Sequence, residues 1–191
     1  MPKANSAPVI ATPKEEDWIA AAREMLIEGG VAAVEVNRLA SWLGVTRGGF
    51  YWRFKNRQDL LHHLLKDWHQ TNNKPLFRAA KPPGTPRERM ARVIALWIDG
   101  NEFNAALDAA VRDWARIDST VEKTVRNADD LRIKALSQIF LDAGQDAEEA
   151  RVRGRVIYYH QVGYFTLGVK ETRAQRLKLV PIYNRIMTGL G

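Results

Sequence analysis

A short apolar pattern, a single glycine and a second short pattern follow each other between Val36 and Arg57, and this stretch limits the fold more than any other. It reads VNRLASWLGVTRGGFYWRFKNR. Val36, Leu39 and Leu43 recur at helical spacing, which predicts a short helix over Val36–Trp42. Leu43-Gly44-Val45 predicts a tight turn, because Gly44 can take the positive φ that ends a helix. Thr46 is a good N-cap for a second short helix carrying Arg47 to Arg53. Two helices joined by a short turn containing glycine form a helix-turn-helix. Leu39, Val45, Phe50 and Phe54 make the inward set. Arg47 and Tyr51, four residues apart, then share an outward face.

Charge says what that face accepts. Between Val36 and Gln58 stand Arg38, Arg47, Arg53, Lys55 and Arg57, with no acidic residue among them. A duplex presents phosphates at close spacing, so an acid-free basic segment is the footprint that binding it requires. Tyr51 and Trp52, set between the arginines, can meet sugar-phosphate or a thymine methyl. The plainer alternative is a helical hairpin with a solvated basic side. Cap, turn, basic run and aromatics coincide, which favours the DNA reading.

The run Val45–Arg57, VTRGGFYWRFKNR, resembles the recognition helix of TetR-family transcriptional regulators. Its Tyr-Trp followed by Phe-Lys-Asn is similar to the form seen in regulators of multidrug efflux pumps. The resemblance covers about a quarter of the chain, from the first helix to the start of the fourth. It implies base-edge contacts from Arg47 and near Gly48, and backbone contacts from Thr46, Tyr51, Trp52, Arg53 and Arg57. Gly49 departs from the Thr or Ala frequent there, so a side-chain contact is missing and the backbone can come close instead. Glu35 departs from the usual Ser or Thr cap, which weakens both the cap and any phosphate contact.

The rest of the chain reads as helix throughout, so the expected fold is all-α. Residues 1–11 read as a flexible arm. A helix-turn-helix DNA-binding domain is expected over residues 12–70. Its first helix is opened by Thr12 with Pro13 and runs to about Glu28, where Gly29-Gly30 stops it. Asn56, with Asp59 three residues on, opens a fourth helix to about Gln70. Pro75, Pro82, Pro83, Gly84 and Pro86 predict a linker over residues 71–86. A helical ligand-sensing and dimerisation domain is expected over residues 87–191. Its helices are opened by Thr85, by Ser119, by Asp146 with Glu149, and by Thr172, and Pro181 is expected to kink the last.

The helix expected over Ala147–Val169 is apolar nearly all round and carries Gly154, Gly163 and Gly168. Such a helix has to be covered, and its glycines suggest another helix approaching closely. Packing inside on one face and against a second copy on the other is the favoured reading. The TetR resemblance points the same way, since those proteins dimerise through their last two long helices.

Composition bounds the remaining classes. The 191 residues are 46% hydrophobic, enough for a real core. The absence of cysteine excludes disulfides and thiolate metal sites and fits a reducing cytoplasm. The net charge of +7 favours an anionic partner. No apolar run is long enough to cross a membrane. No phosphate-cradling glycine loop is present, and Asp59 with His62 has no second copy to complete a di-metal site. No catalytic set, metal or cofactor is therefore expected. Trp97, Phe103, Trp114, Phe140 and Tyr164, with His160 as a polar group, are the candidates for an effector cavity. The same residues would serve equally as core, and the sequence supports both. The expected function is a cytoplasmic homodimeric regulator on a palindromic duplex operator, most simply a repressor. A small hydrophobic or aromatic effector would release it by moving the recognition helices off the spacing of one DNA turn, about 34–36 Å.

Overall fold

A computed structural model describes residues 13–190. In chain order its helices are α1 (Glu15–Ala33), α2 (Val36–Trp42), α3 (Arg47–Tyr51), α4 (Arg57–Ala80), α5 (Pro86–Asp99), α6 (Ala105–Ala115), α7 (Ser119–Asp142), α8 (Ala147–Thr166) and α9 (Arg173–Met187). No strand occurs among the described residues, and the all-α expectation holds. The chain divides into two compact units between Leu64 and Leu65.

In the first unit, Trp18, Leu26, Leu39, Phe50, Leu60 and Leu64 are completely buried. Trp18 meets Phe50 edge-on at 5.5 Å, and Phe54 lies 5.3 Å from Phe50, so one aromatic cluster ties α1 to α3. The start of α1 differs from expectation. Thr12 and the proposed arm lie outside the described residues, and the helix begins at Glu15 rather than Pro13. There the Asp17 carboxylate accepts the Lys14 N–H at 2.7 Å. The helix breaks at Gly30, as the glycine pair suggests.

The second unit packs α7 against α8, with Leu136, Ile139, Phe140, Ile157 and Tyr158 buried among Met90, Val93, Trp97 and Phe103 of the neighbouring elements. Gly154 makes this packing possible. A Cβ there would stand 2.4 Å from Ser137 Oγ and 2.9 Å from the Ser137 backbone nitrogen. The close approach inferred from the glycines is therefore within one chain at Gly154, whereas Gly163 meets nothing within 4 Å.

The expected linker over residues 71–86 is mostly helix. Helix α4 continues through Pro75 to Ala80, and only residues 81–85 intervene before α5. Tertiary bonds on both sides of the proline override its local effect. Asn72 donates to the Asn104 carbonyl at 2.9 Å, Asn73 accepts from Arg132 at 2.6 Å, and Leu76 is fully buried. Arg89, itself buried, donates to the Ala80 carbonyl at 2.7 Å and satisfies the end of the helix. Local caps appear where residue type demands them at Thr85, Asp146 and Thr172. For α7 the cap is Asp118 rather than Ser119, because its carboxylate accepts from both Thr120 and Val121.

Candidate nucleic-acid interface

Helices α2 and α3 form the expected helix-turn-helix. Gly44 takes φ +67°, which lets the Val45 N–H reach back to the Ala40 carbonyl at 2.9 Å. Thr46 occupies the N-cap position of α3 by its backbone angles, but its side chain makes no capping bond. Leu39, Phe50 and Phe54 face inward and are buried, while Val45 is only half-buried. Helix α3 is short and ends at Tyr51, so Trp52 and Arg53 lie beyond it.

The outward surface carries Arg47, Tyr51, Trp52 and Arg53, all exposed, with Trp52 at 89%. Arg47 is held in place: its Nη2 donates to the Tyr51 hydroxyl at 2.9 Å, and its guanidinium carbon lies 5.6 Å from the Tyr51 ring centre. Lys55 is exposed alongside them. Trp42 at the end of α2 is also exposed, at 57%, and sequence spacing offered no way to separate it from the buried Leu39 three residues earlier. Trp42 is thus an exposed aromatic of the helix-turn-helix that sequence reasoning did not single out.

The two glycines of α3 are not there for packing. A Cβ at Gly48 would lie 3.6 Å from Thr46 Oγ1, and one at Gly49 would lie 3.8 Å from Trp18, both ordinary contacts. Each glycine costs a helix about 1 kcal/mol relative to alanine. Two such residues in a five-residue helix leave its backbone bare where another surface can come close.

Arg57, expected to meet phosphate, makes bonds within the chain. Its Nε donates to the Val34 carbonyl at 2.6 Å and its Nη2 to the Val31 carbonyl, so the guanidinium closes the end of α1. Arg38 lies 3.5 Å from the Ala33 carbonyl and remains exposed. The exposed cations of the segment are Arg38, Arg47, Arg53 and Lys55. At the start of α4, Asn56 accepts the Asp59 N–H and Asp59 accepts the Lys55 N–H, each at 2.9 Å. Those bonds satisfy the Lys55 and Asp59 N–H groups around the helix start.

The six effector candidates separate in the second unit. Phe103, Trp114 and Phe140 are buried core residues. Phe103 stacks on Phe165 at 5.8 Å and lies 5.5 Å beneath the Arg132 guanidinium. Trp97, His160 and Tyr164 instead line a cleft of about 60 Å³ between α5, α8 and α9, with Gln161, Arg176, Tyr183 and Asn184. His160 stands 4.8 Å from the Tyr183 ring, and burial, then the nearby Arg176, holds its pKa below the ordinary histidine value.

A buried ionic cluster in the same unit had no signal in the sequence. Asp108 accepts from Trp68 Nε1 at 3.1 Å, from Arg132 at 3.0 Å and from Arg112 at 3.0 Å. Arg112 also forks onto Asp129 at 2.6 and 2.9 Å, and the Tyr158 hydroxyl donates to Asp129 at 2.6 Å. Burial favours the neutral carboxyl of Asp108, but Arg132 and Arg112 outweigh it and hold the pKa below the ordinary value. Burial pushes the Tyr158 phenol up to about 12. Arginines and carboxylates here neutralise each other's charge. No group of three or more metal-binding side chains is placed together among the described residues. No helix among them is long and apolar enough to cross a membrane.

Residues 19–64 match the family described as bacterial regulatory proteins, tetR family. The HTH-type transcriptional regulator TtgR of Pseudomonas putida is 32% identical over 119 residues, which cover 59% of this chain and 51% of that protein. The chain thus spans about half the length of the curated relatives it matches. The reduced form of E. coli NemR superposes with a TM-score of 0.75 at 13% identity, covering 93% of this chain and 99% of that one. A TetR-family transcriptional regulator from Agrobacterium tumefaciens superposes with a TM-score of 0.72 at 17% identity, covering 91% and 97%. At such identities the superpositions speak for the fold.

Proposed function

We propose that this chain, which carries the N-terminal domain of the tetR family of bacterial regulatory proteins, is a sequence-specific DNA-binding transcriptional regulator. It acts as a repressor in the cytoplasm, and a small molecule bound in its second unit releases it from its operator. The observation that carries this reading is the outward face of α3. There Arg47 and Tyr51 stand exposed on a glycine-rich helix, with Trp52, Arg53 and Lys55 exposed just beyond it and Trp42 exposed at the end of α2, and the sequence from Val36 to Gln58 holds no acidic residue. Cations meet phosphate, aromatics meet sugar or thymine methyl, and the fork of Arg47 matches the O6 and N7 edge of guanine.

The working unit is a homodimer on a palindromic operator. Helix α8 packs inward through Ala150, Gly154, Ile157 and Tyr158, yet leaves Val152, Val156 and Tyr159 exposed on another face. Helix α9 has no buried residue and exposes Leu177, Ile182 and Ile186. Apolar surface of this extent marks an interaction site, and a two-fold axis lets one patch cover its own copy. Two recognition helices then reach half-sites about 34–36 Å apart. An effector that changes their spacing weakens both contacts together.

The test is selection of bound fragments from random duplex DNA by the full chain. A palindromic consensus with half-sites one turn apart is expected, and enrichment of no sequence would overturn the reading.

A further inference from the structure

We propose that the cleft between α5, α8 and α9 is the effector site and takes a small uncharged molecule with one aromatic ring and a hydroxyl or primary amide, as in a phenol or a benzamide. This rests on the regulator reading for its purpose and narrows its effector to a chemical class.

The walls select the ring. Ile94, Trp97, Ile157, Val180 and Met187 supply an apolar lining, and the His160 and Tyr183 rings close one side. Aromatic and aliphatic walls with a few placed polar atoms are the usual makeup of a small-molecule site.

Two polar atoms select the substituent. Gln161 is only 7% exposed, lines the cleft, and its Nε2 has no hydrogen-bond partner among the described residues. Asn184 Oδ1, on the α9 side, likewise has none. Buried polar groups are nearly always paired, so an unpaired donor and an unpaired acceptor on one cleft describe a complementary ligand. A phenol hydroxyl or a carboxamide offers an acceptor to Gln161 and a donor to Asn184.

The charged residues disfavour a ligand charge of either sign. Arg176 lies at the cleft, its Nη1 donating to the Trp97 carbonyl at 2.9 Å and its guanidinium carbon 4.5 Å from the Tyr164 ring centre. The carboxylate there, Glu171, already accepts the Tyr164 hydroxyl at 3.0 Å. Arg176 and Glu171 both line the cleft, so a ligand charge of either sign would meet a like charge as well as an opposite one and would lose its water without net gain. His160, its pKa held down, adds no charge at neutral pH.

Size favours the smallest aromatic molecule, a single ring. The cleft holds about 60 Å³, whereas a protein cavity of about 150 Å³ admits benzene. Entry therefore requires one wall to yield. No residue of helix α9 is fully buried, and Pro181 within it has no N–H to hold the preceding turn, so that wall is the least firmly held.

The test uses the full chain at pH 7, with phenol, benzamide, benzene, benzylamine and benzoate followed by ligand-observed NMR. Phenol and benzamide should bind and compete with each other, benzene should bind about tenfold more weakly, and benzylamine and benzoate should not bind. In Gln161→Leu, and independently in Asn184→Leu, the Kd for phenol should rise about tenfold while that for benzene stays unchanged. Thermal unfolding checks each variant, and either one that folds decides the matter. Benzylamine or benzoate binding as tightly as phenol, phenol affinity unmoved by the substitutions, or no binding of phenol to the wild type would each overturn the site. Failure of the regulator reading is seen separately, as phenol binding that persists while no DNA sequence is selected.

Discussion

Arg47 donates from Nη2 to the Tyr51 hydroxyl at 2.9 Å, one helical turn away on the exposed face of α3. A long cationic side chain on a surface ordinarily loses rotamer freedom when it binds, and this bond holds the guanidinium beforehand. Arg47→Ala should cost about 1–3 kcal/mol of operator affinity and relax preference at one base pair in each half-site. Tyr51→Phe should cost about 1 kcal/mol and relax preference at the same base pair, because only the hydroxyl that orients Arg47 is lost. Affinities for single-base operator variants, measured for both single mutants and the double mutant, check the coupling. If Tyr51→Phe relaxes a different position, Tyr51 reads the duplex on its own account.

Arg57 and Lys55 should behave differently although both are basic and two residues apart. Arg57 bonds the Val31 and Val34 carbonyls, so Arg57→Ala should destabilise the first unit by about 1.5–3 kcal/mol. Its effect on the salt dependence of DNA binding should be small. Lys55→Ala should leave stability nearly unchanged and make the salt dependence shallower by about one phosphate contact per subunit. Denaturant melts and affinities over a range of salt concentrations separate the two.

Gly154 and Gly163 lie on one helix and should respond oppositely to alanine. A Cβ at Gly154 runs into Ser137 of α7, so Gly154→Ala should destabilise by about 1–3 kcal/mol through forced separation of α7 and α8. Gly163 meets nothing within 4 Å, so Gly163→Ala should stabilise by up to about 1 kcal/mol through helix propensity. Urea unfolding of both variants at one protein concentration gives the comparison. Equal effects would mean that α7 and α8 have room to part at Gly154.

The wild-type chain should sediment at micromolar concentration with about twice its 21.7 kDa mass. Ile186, 68% exposed on α9, and Tyr159, 58% exposed on α8, are the positions where charge should break the pairing. Ile186→Glu and Tyr159→Glu should each yield a folded monomer with unchanged helical circular dichroism and weakened operator binding. A wild type that sediments as a monomer would remove the dimer from the proposed function.

The buried ionic cluster should make stability fall at both ends of the pH scale. The Asp108 pKa is depressed in the folded chain, so its contribution is present above the unfolded value near ~4 and is lost as pH falls below it. The Tyr158 pKa is raised to about 12 from an ordinary 10.0, so the folded state favours the neutral phenol. That contribution is present below pH 10 and is lost as pH rises from there towards 12. Urea midpoints across the pH range should show a flatter acid limb in Asp108→Asn and a flatter alkaline limb in Tyr158→Phe. Asp108→Asn should also cost about 3–5 kcal/mol at neutral pH, because it leaves Arg132 buried without its counter-charge.

What could be read along the chain is what the chain decides within a few residues. Gly44 ends α2, Asn56 starts α4, Thr85, Asp146 and Thr172 start α5, α8 and α9, and Phe50 and Phe54 point inward. At the helix ends one side chain or one φ angle settles the matter through a bond to a near neighbour, and for Phe50 and Phe54 the apolar spacing marks the inward face. The basic, acid-free character of the α3 surface is equally local. Tertiary structure decided the rest. Pro75 should have ended α4, but Asn72, Asn73 and Leu76 are fixed by partners up to 59 residues away, which outweigh one missing N–H. Arg57 reads along the chain as a basic residue at a helix start, and only the fold brings its guanidinium onto the end of α1. Trp97, His160 and Tyr164 share a cleft while Phe103, Trp114 and Phe140 fill core, a division that depends on which face of each helix its neighbours cover. Asp108, Asp129, Arg132 and Tyr158 look like surface and core residues of separate helices. Only packing takes their charges out of water together, and a desolvated charge must then find its partner wherever the fold brings one.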